Sequence, residues 1–490
     1  MSSFIKIHEK DNIAVALRTV PAGTVWNGIT TVQEIPQGHK IALCDLQAGE
    51  KVIKYGFPIG HMTQAASCGE WIHVHNMKTD LGGESEYRYE PEITPVEQME
   101  EKTFLGYRRK DGSVGIRNEI WVIPTVGCVN DVAKALVAQN QDLVTGSIEG
   151  LYSFTHPFGC SQTGEDHART RKLLASLSKH PNAAAVLIVG LGCENLTMQQ
   201  FKEELASFDE ERIQFMVCQD VEDEAATGRE LLKECAQYAM QFSREPISAK
   251  ELVIGLKCGG SDGLSGVTAN PVVGRFSDML ISQGGTTVLT EVPEMFGAEG
   301  MLMNRCISED VFQKAVNMIN GFKAYFISHN EVVYENPSPG NKAGGISTLE
   351  DKSCGCVQKG GTAPIMDVIG YADQITSNGL NMLYGPGNDL VSATAMTAAG
   401  AHMILFTTGR GTPFGAPAPT LKISTNTPLV KKKSGWIDFN AGAVADGESS
   451  IAQSAEDLMA LVLSVASGTQ TKTEIMGYRE ISIFKGGVVL

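Results

Sequence analysis

Ala185-Val186-Leu187-Ile188-Val189-Gly190-Leu191-Gly192-Cys193 is a short apolar run that ends in glycine and a cysteine. Cysteine beside glycine also follows short apolar runs at three other places, Cys128, Cys160 and Cys258. Apolar runs of this length, bounded by glycine and rich in β-branched residues, predict buried strands. Residues 131–137 and 168–177 look helical and lie between these runs. Alternating strands and helices predict an α/β protein with a mainly parallel sheet.

The four cysteines follow the ends of predicted strands, where ligands bind in open α/β sheets. A single cysteine in such a place is as readily a small buried hydrophobe as a functional thiol. Repetition of the pattern favours a functional role. Cys128, Cys160 and Cys193 are too far apart in sequence for a local zinc knuckle, but they can meet at neighbouring strand ends. There they would be ligands for iron or an iron–sulfur cluster, or redox-sensitive thiols.

Composition excludes several classes of function. The formal net charge of the 490 residues is −16, which opposes binding to nucleic acid or to an anionic membrane. No apolar stretch approaches the ~20 residues of a membrane helix, and Met1–His8 does not resemble a signal peptide. Eleven cysteines, an odd number, favour reduced thiols over a disulfide framework. We therefore expect a cytoplasmic protein.

Differences in composition and periodicity divide the chain into four parts. Residues 1–80 carry short β-like stretches and turn signals, which predict a small β-rich domain. Residues 81–103 are polar and acidic and are interpreted as a linker. Residues 104–250 form a first α/β domain, and residues 251–490 form a C-terminal α/β domain. The predicted catalytic body thus has two subdomains.

His73-Val74-His75-Asn76 is the clearest motif of the first domain. On a strand, alternation would direct both imidazoles to one face, where they can bind Fe(II), Mn(II) or Zn(II). The alternative is a pair of exposed or hydrogen-bonded histidines without a metal.

Three glycine-rich loops follow predicted strands or turns, at residues 258–266, 336–345 and 407–413. Such loops offer unhindered backbone N–H groups to anions, although turn geometry alone also explains glycine. Two of them carry a cation, Lys342 or Arg410, which favours an anionic ligand rich in oxygen. Glu291 and Glu294 follow another strand as pocket acids or helix caps, and Asp389 is interpreted as a cap.

Taken together, these motifs resemble those of the altronate/galactarate dehydratase family over essentially the whole chain. The motifs that carry the resemblance are residues 54–60, 73–76, 124–130, 190–195, 258–266, 290–299 and 335–345. His61 and Cys354 depart from the family pattern, in which the cysteine at 356 is typical. The resemblance implies an N-terminal SAF-type β-clip domain and a catalytic body. It also implies a divalent metal, usually iron, and conversion of D-altronate to 2-dehydro-3-deoxy-D-gluconate and water.

Such a reaction removes the C2 proton beside a carboxylate and expels the C3 hydroxyl, so it needs concentrated positive charge. We assign His73 and His75 to the metal, Fe(II) or another divalent ion such as Mn(II), with Cys128, Cys160 and Cys193 as the alternative set. Substrate binding is assigned to Ser261, Asp262, Asn341 and Arg410. The catalytic base is left open among Lys342, His156 and His167.

Other functions stay open at this point. A related sugar acid such as galactarate is the nearest alternative substrate. In other classes, the alternatives are an iron or iron–sulfur redox protein and a non-catalytic sugar-acid binding protein. The sequence lacks the local cysteine runs of ferredoxins and a Rossmann fingerprint, which counts against redox work. We expect a small sugar-acid substrate, a homo-oligomer, and neither nucleic acid nor membrane as a partner.

Overall fold

The computed structural model describes residues 2–83, 85–333 and 336–489. Glu335, the first residue of the motif 335–345, lies outside these ranges, as does Glu84 of the predicted linker.

The N-terminal part of the chain is built from short antiparallel strands. They are β1 (Phe4–Ile5), β2 (Ile13–Ala16), β3 (Val25–Trp26), β4 (Ile29–Thr30), β5 (Lys40–Ala42), β6 (Lys51–Lys54), β7 (Phe57–Met62), β8 (Trp71–Ile72) and β9 (Met77–Lys78). Strands β1-β2-β5-β8 form one sheet, β6-β7-β9 a second, and β3-β4 a hairpin. Turns with glycine connect them, and the four residues of β2 are all buried. This part confirms the predicted small β-rich region.

Residues 81–102 contain no helix or strand in their described part. Two tyrosines attach this segment to the C-terminal part of the chain. The hydroxyl of Tyr87 donates to Glu299 Oε1 at 3.0 Å, and that of Tyr89 donates to the Cys306 carbonyl at 2.8 Å. The segment therefore runs along the C-terminal part while most of its polar side chains are exposed.

The middle part holds a four-stranded parallel sheet in the order β13-β12-β14-β15. Its elements are β10 (Thr103–Arg108), β11 (Val114–Gly115), β12 (Glu119–Pro124), α1 (Asn130–Gln139), β13 (Gly150–Ser153), α2 (Gly164–Ser178), β14 (Ala183–Gly190), α3 (Met198–Leu205), β15 (Ile213–Val217), α4 (Glu224–Ala239) and β16 (Glu245–Ser248). All eight residues of β14 are buried, as expected for a strand covered on both faces. Strands β11-β10-β16 pair separately and antiparallel.

The C-terminal part holds a seven-stranded parallel sheet in the order β19-β20-β18-β17-β21-β22-β23. Its elements are β17 (Val253–Cys258), α5 (Ala269–Ile281), β18 (Thr286–Leu289), α6 (Glu299–Met303), α7 (Glu309–Ser328), α8 (Pro339–Ala343), α9 (Leu349–Cys356), β19 (Ile365–Ile369), β20 (Gly379–Leu383), α10 (Asp389–Ala398), β21 (Met403–Thr408), β22 (Thr420–Ser424), α11 (Thr427–Lys432), β23 (Phe439–Asn440), α12 (Ile451–Ala466) and α13 (Lys472–Ile475). This confirms the predicted α/β class with a mainly parallel sheet.

The strand order of the large sheet reverses beside β17. The chain continues from β17 to β18 on one side, and returns to β21 on the other side. Ligands of open α/β sheets bind outside the carboxyl ends of the strands at such a reversal. Cys258, the last residue of β17, and the loop after β21 that carries Arg410 lie at this point.

Two local predictions are wrong. Residues 73–76 form a turn between β8 and β9 and not a strand, because the Asn76 side chain accepts from the His73 N–H at 2.9 Å. The cap of α10 is Asn388, whose side chain accepts from the amides of Leu390 and Val391, and not Asp389.

Within the described residues, none of the helices is both long and apolar enough to cross a bilayer.

Candidate active site at the carboxyl edge of the large sheet

Two buried thiols and a buried carboxylate meet at the end of β17. The Sγ atoms of Cys258 and Cys356 are 3.3 Å apart, and each lies within hydrogen-bond reach of Glu294 Oε2, at 3.3 and 3.2 Å. In the described part of the chain, these are the one group of three or more His, Cys, Asp or Glu residues whose ligand atoms lie within 4.8 Å of one another. Thiolate and carboxylate ligands together suit iron or zinc.

Three lysines surround this group, and all are almost fully buried. Lys359 Nζ lies 2.8 Å from Cys258 Sγ, and Lys352 Nζ lies 2.7 Å from Glu294 Oε1. Lys257 pairs with Glu291 and, at 2.9 Å, with Asp389. Buried charges are stable only when they are paired, which explains why the ammonium and carboxylate groups occur together here.

The lysines keep the carboxylate of the group ionised. Burial opposes the charge of Glu294, but the ammonium groups of Lys352, Lys257 and Lys359 outweigh it and hold the pKa of Glu294 well below its usual range. Contact with Cys258 and burial together raise the pKa of the Cys356 thiol well above its usual value. That thiol is therefore protonated until a cation takes the place of its proton.

The charge balance of the site fits a divalent ion. The ammonium groups of Lys257, Lys352 and Lys359 face three carboxylates, those of Glu291, Glu294 and Asp389. Their charges cancel before either thiol ionises. Loss of both thiol protons would then offset the two positive charges of a bound divalent cation, so that the buried site stays neutral.

The three glycine-rich loops predicted from the sequence do converge here. The Asn341 amide donates to the Ser261 carbonyl at 2.8 Å, and the Gly263 amide donates to the Gly344 carbonyl at 2.7 Å. The Arg410 amide donates to the Gly260 carbonyl at 3.1 Å. Ser261, Asp262, Asn341 and Arg410 are thus brought together as the sequence analysis expected of a single site.

Glycine is required for this close approach. A Cβ atom on Gly263 would lie 2.0 Å from the Gly38 carbonyl oxygen, in the N-terminal part of the chain. A Cβ on Gly345, whose φ is +103°, would lie 2.3 Å from the same oxygen. The turn at Gly38 therefore packs between the loop at residues 258–266 and the loop at residues 336–345.

Ser261 and Asp262 differ in what they can offer to a ligand. The hydroxyl of Ser261 is buried and has no hydrogen-bond partner among the described residues. The carboxylate of Asp262 already accepts from Ser265, Thr425 and Asn426. Ser261 is therefore free to bind a ligand hydroxyl or water, while Asp262 holds the loops together.

A narrow cavity joins the thiol group to the loops. Ser261, Lys352 and Cys356 line it, together with Lys54 and Tyr55 from the N-terminal part. It measures about 10 Å³, which is room for roughly one water molecule. A sugar acid would therefore enter only if the loops around it separate.

The N-terminal part is attached at α9, the helix that ends at Cys356. Lys40 and Lys54 bind the two carboxylate oxygens of Asp351 at 2.7 and 2.8 Å, and all three residues are buried. The Thr348 hydroxyl donates to the Ile59 carbonyl at 2.6 Å. The β-rich part of the chain therefore positions the helix that carries Lys352 and Cys356.

The two histidines of the 73–76 motif lie at the same boundary. His73 Nδ1 is 3.0 Å from the Ser347 hydroxyl, and its ring stacks on Trp71. Burial and the charge of Lys40 lower the pKa of His73 to about 3, so the imidazole is neutral. His75 is exposed. Neither histidine has two further ligand residues within range in the described structure.

The three candidates for the catalytic base lie in two places. Lys342 is exposed on α8, between Asn341 and the loop residues that contact Gly38. His156 and His167 lie in the middle part of the chain, beside the loops of Cys128 and Cys160. The His156 ring is buried, with Nε2 at 2.8 Å from the Pro124 carbonyl, and burial lowers its pKa to about 4. Of the three, Lys342 alone is on the converging loops.

The three cysteines of the alternative metal set, Cys128, Cys160 and Cys193, follow β12, β13 and β14 in the middle part. They are exposed or half-buried and do not contribute to the group at Cys258.

Sequence reasoning missed the three lysines. Lys257 stands between the apolar residues 252–256 and Cys258, inside β17 (Val253–Cys258), where a charged residue is a signal of a paired buried site. Lys352 and Lys359 carry no such signal, because each is one polar residue in a mixed segment. Glu294 was identified only as a strand-end carboxylate, and Cys356 only as a position typical of the family.

Family models match almost the whole chain. The model described as "D-galactarate/Altronate dehydratase, C-terminal" matches residues 249–489, the second domain of "D-galactarate dehydratase/Altronate hydrolase" matches residues 106–240, and the "Altronate/galactarate dehydratase SAF domain" matches residues 2–80. The chain belongs to the D-galactarate/altronate dehydratase family. The family resemblance seen in the motifs is thereby confirmed.

Full-length relatives agree with this membership. The chain is 49% identical to an altronate dehydratase of Escherichia coli K12 over 99% of this chain and 100% of the relative. It is 50% identical to an altronate dehydratase of Bacillus subtilis 168 over 100% of both. A galactarate dehydratase (L-threo-forming) of Escherichia coli K12 is 33% identical over 95% of this chain and 93% of the relative. As a family member, the chain is a sugar-acid dehydratase, a hydro-lyase, as predicted.

Proposed function

We propose that this chain dehydrates D-altronate to 2-dehydro-3-deoxy-D-gluconate and water, with a divalent metal held at the carboxyl edge of the large sheet. About 50% identity over full length to two altronate dehydratases supports the substrate. The observation that carries the proposal for the site is the buried group Cys258, Glu294 and Cys356, which opens through a narrow cavity onto three converging loops. The homo-oligomeric state, the domain boundaries and the cytoplasmic location stay predictions.

Two metal sites are compared in this proposal. His73 and His75 are the metal ligands assigned from the sequence, and the neutral imidazole of His73 is chemically suitable. However, His73 is already hydrogen-bonded to Ser347 and His75 is exposed. The Cys258, Glu294 and Cys356 group offers three ligand atoms on buried, paired residues, so we assign the metal, Fe(II) or another divalent ion such as Mn(II), to that group. Bound there, it would act as a Lewis acid toward substrate oxygen atoms.

The loops are assigned to the sugar acid. Arg410 and Lys342 are exposed and lie on two of the converging loops, and the Arg410 side chain passes close to Gly340, two residues before Lys342. They would stabilise the negative charge that develops on the substrate carboxylate when the C2 proton leaves. The free hydroxyl of Ser261 would bind a sugar hydroxyl.

Proton transfer at C2 is assigned to Lys342, because it lies on the loops that hold the substrate in this proposal. In this step the neutral amine of Lys342 would take the C2 proton and thereby become the ammonium group that faces the substrate carboxylate. His156 and His167 are set apart in the middle part of the chain. Lys352, Lys359 and Lys257 are unsuitable as bases, because burial is outweighed and the pKa of each is raised above its usual value. The main cause is Glu294 for Lys352, Cys258 followed by Glu291 for Lys359, and Asp389 with Glu291 for Lys257. These three ammonium groups instead balance the carboxylates of Glu291, Glu294 and Asp389.

The test is an assay of the purified chain with a reductant, Fe(II) and D-altronate, read out as formation of a 2-keto-3-deoxy acid. Cys356→Ser is expected to lose bound metal and activity. Cys354→Ser is the matched control, since Cys354 is equally buried on the same helix but does not touch the group.

Three outcomes would contradict parts of the proposal. Product from galactarate and none from altronate would reject the substrate. Full activity of a rigorously chelated enzyme would reject the metal. Loss of metal in His75→Ala with retention in Cys356→Ser would return the metal to the histidine pair.

A further inference from the structure

Three accessible thiols follow three neighbouring strands of the other parallel sheet. Strands β13, β12 and β14 are neighbours in that order, and Cys160, Cys128 and Cys193 follow their carboxyl ends. Cys128 and Cys193 are exposed and Cys160 is half-buried, whereas most other cysteines of the chain are buried. Burial is the common fate of a structural cysteine, so three thiols kept at one strand edge need another explanation.

Hydrogen bonds join the three cysteine loops into one surface, which we call the thiol edge: residues 125–130, 156–162 and 191–196. The Gly127 amide donates to the Phe158 carbonyl at 2.9 Å, and the Leu196 amide donates to the Gly159 carbonyl at 3.0 Å. The Ser161 amide donates to Asn195 Oδ1 at 2.7 Å. The positions of the three thiols are therefore fixed relative to one another by backbone contacts.

The backbone of the thiol edge is held in unusual conformations. Ser161, directly after Cys160, has φ of +56° although it is not glycine. Gly159 has φ of +99°, and a Cβ there would lie 1.9 Å from the Thr125 carbonyl oxygen. Strain of this kind persists where the surrounding structure fixes a site for function.

Two buried polar atoms, one next to Cys160 in sequence and one on the following helix, lack a partner in the described structure. Gln162 is 5% exposed, and its Oε1 accepts from the Gly159 amide at 3.2 Å. Its Nε2 has no partner in the described structure, and the same is true of the buried Nε2 of His167, on the helix that follows. Buried donors without acceptors are costly, so an acceptor is expected beside them.

We propose that Cys128, Cys160 and Cys193 bind a four-iron, four-sulfur cluster through their thiolates, with the fourth iron left open to an oxygen ligand. The three sulfur atoms do not all lie within 4.8 Å of one another, which is too open for a single ion. A cluster suits them, because its several iron atoms separate the thiolates more widely. Each thiol loses its proton to solvent on binding, and the sulfide ions accept hydrogen bonds from donors such as Gln162 Nε2.

This inference does not depend on the proposed function. The thiol edge belongs to the four-stranded sheet, while Cys258, Glu294 and Cys356 belong to the seven-stranded sheet. Loss of one site can therefore be measured while the other is intact.

The experiment is anaerobic reconstitution of the full chain with Fe(III), sulfide and a thiol that reduces part of the iron to Fe(II), followed by gel filtration. Iron, acid-labile sulfide, the visible absorption of the cluster and the electron paramagnetic resonance signal after reduction are then measured. Equal amounts of iron and sulfide are expected in the unaltered chain. Cys128→Ser, Cys160→Ser and Cys193→Ser are each expected to lose most of the labile sulfide.

Two controls separate this result from incidental iron. Cys44→Ser removes an exposed thiol far along the chain, and Cys356→Ser removes the other metal site; both are expected to keep the sulfide and the cluster signal. Circular dichroism checks that each variant is folded. If Cys160→Ser fails to fold, Cys193→Ser carries the test, because its side chain is exposed.

Iron bound without labile sulfide would overturn the proposal, as would a cluster signal that survives in Cys193→Ser. Loss of the signal in Cys356→Ser with retention in Cys193→Ser would move the cluster to the other sheet and also overturn it.

Discussion

Lys40 Nζ lies 2.7 Å from Asp351 Oδ2, with both side chains fully buried. Lys40 belongs to β5 of the N-terminal part, and Asp351 is the third residue of α9, which ends at Cys356. Lys54 binds the other oxygen of the same carboxylate at 2.8 Å. Two lysines of the β-rich part thus share one carboxylate of the helix that carries the thiol and Lys352.

Removal of Lys40 should therefore destabilise the protein. Breaking a buried ion pair from one side costs about 3–5 kcal/mol, because the remaining charge is left partly unpaired. We expect Lys40→Met to lower the free energy of unfolding by about that amount, measured by urea denaturation. Lys51→Met is the control: its pair with Asp80 is exposed, and such pairs contribute about 1 kcal/mol or less. Equal urea midpoints for the two variants would contradict the importance of the buried pair.

Metal binding at Cys258, Glu294 and Cys356 should release protons. The pKa of the Cys356 thiol is raised, so this thiol holds its proton until the metal binds. We expect at least one proton to be released per bound ion near pH 7, measured by calorimetric titration of the metal in two buffers of different ionisation enthalpy. The apparent Kd should fall as pH rises. An affinity that does not change between pH 6 and 8 would contradict binding by the thiols.

Ser261→Ala should reduce activity without reducing stability. The hydroxyl has no protein partner to lose, but a hydrogen bond to substrate is worth about 0.5–1.5 kcal/mol. That corresponds to a fall of roughly 2- to 13-fold in kcat/KM for altronate, by the same conversion of free energy to rate. Ser265→Ala is the matched variant for stability. The Ser265 hydroxyl is hydrogen-bonded to Asp262, so its loss should lower Tm, whereas Ser261→Ala should leave Tm unchanged. Unchanged kcat/KM in Ser261→Ala would remove this residue from the substrate site.

Stability should fall as the solution is acidified below neutral pH. Burial lowers the pKa of His156 to about 4, against about 6.5 in an unfolded chain. Between these values the unfolded state binds more protons, so this histidine's contribution, complete above pH 6.5, is lost as pH falls toward 4. The loss is about 3 kcal/mol for a shift of this size. His156→Gln should unfold with a shallower dependence on pH over this range, measured by urea denaturation at several pH values. An identical slope in both proteins would show that His156 is not buried neutral.

Local sequence patterns were sufficient to predict most of the strands and the glycine-rich loops that follow them. The strand predicted before Glu291 is found as β18 (Thr286–Leu289), because four apolar or β-branched residues lie between glycine and a polar turn. Residues 168–177, predicted to be helical, lie within α2, which begins earlier, at Gly164. The strand predicted at residues 73–76 is wrong because the alternation of His, Val and His has the same period as a strand. A hydrogen bond from the His73 amide to the Asn76 side chain fixes a turn there instead.

Periodicity, glycine placement and charge are properties of short segments, so they were enough to establish the α/β class, the β-rich beginning of the chain and the three loops. Which groups meet was decided by contacts between residues far apart in the chain. Cys258 and Cys356 are 98 positions apart, and Lys40 and Asp351 are 311 apart. No local pattern encodes contacts between residues so far apart in sequence. A buried charge is stabilised by its partner in space, and that partner comes within reach only when the sheet, helix α9 and the N-terminal strands pack together.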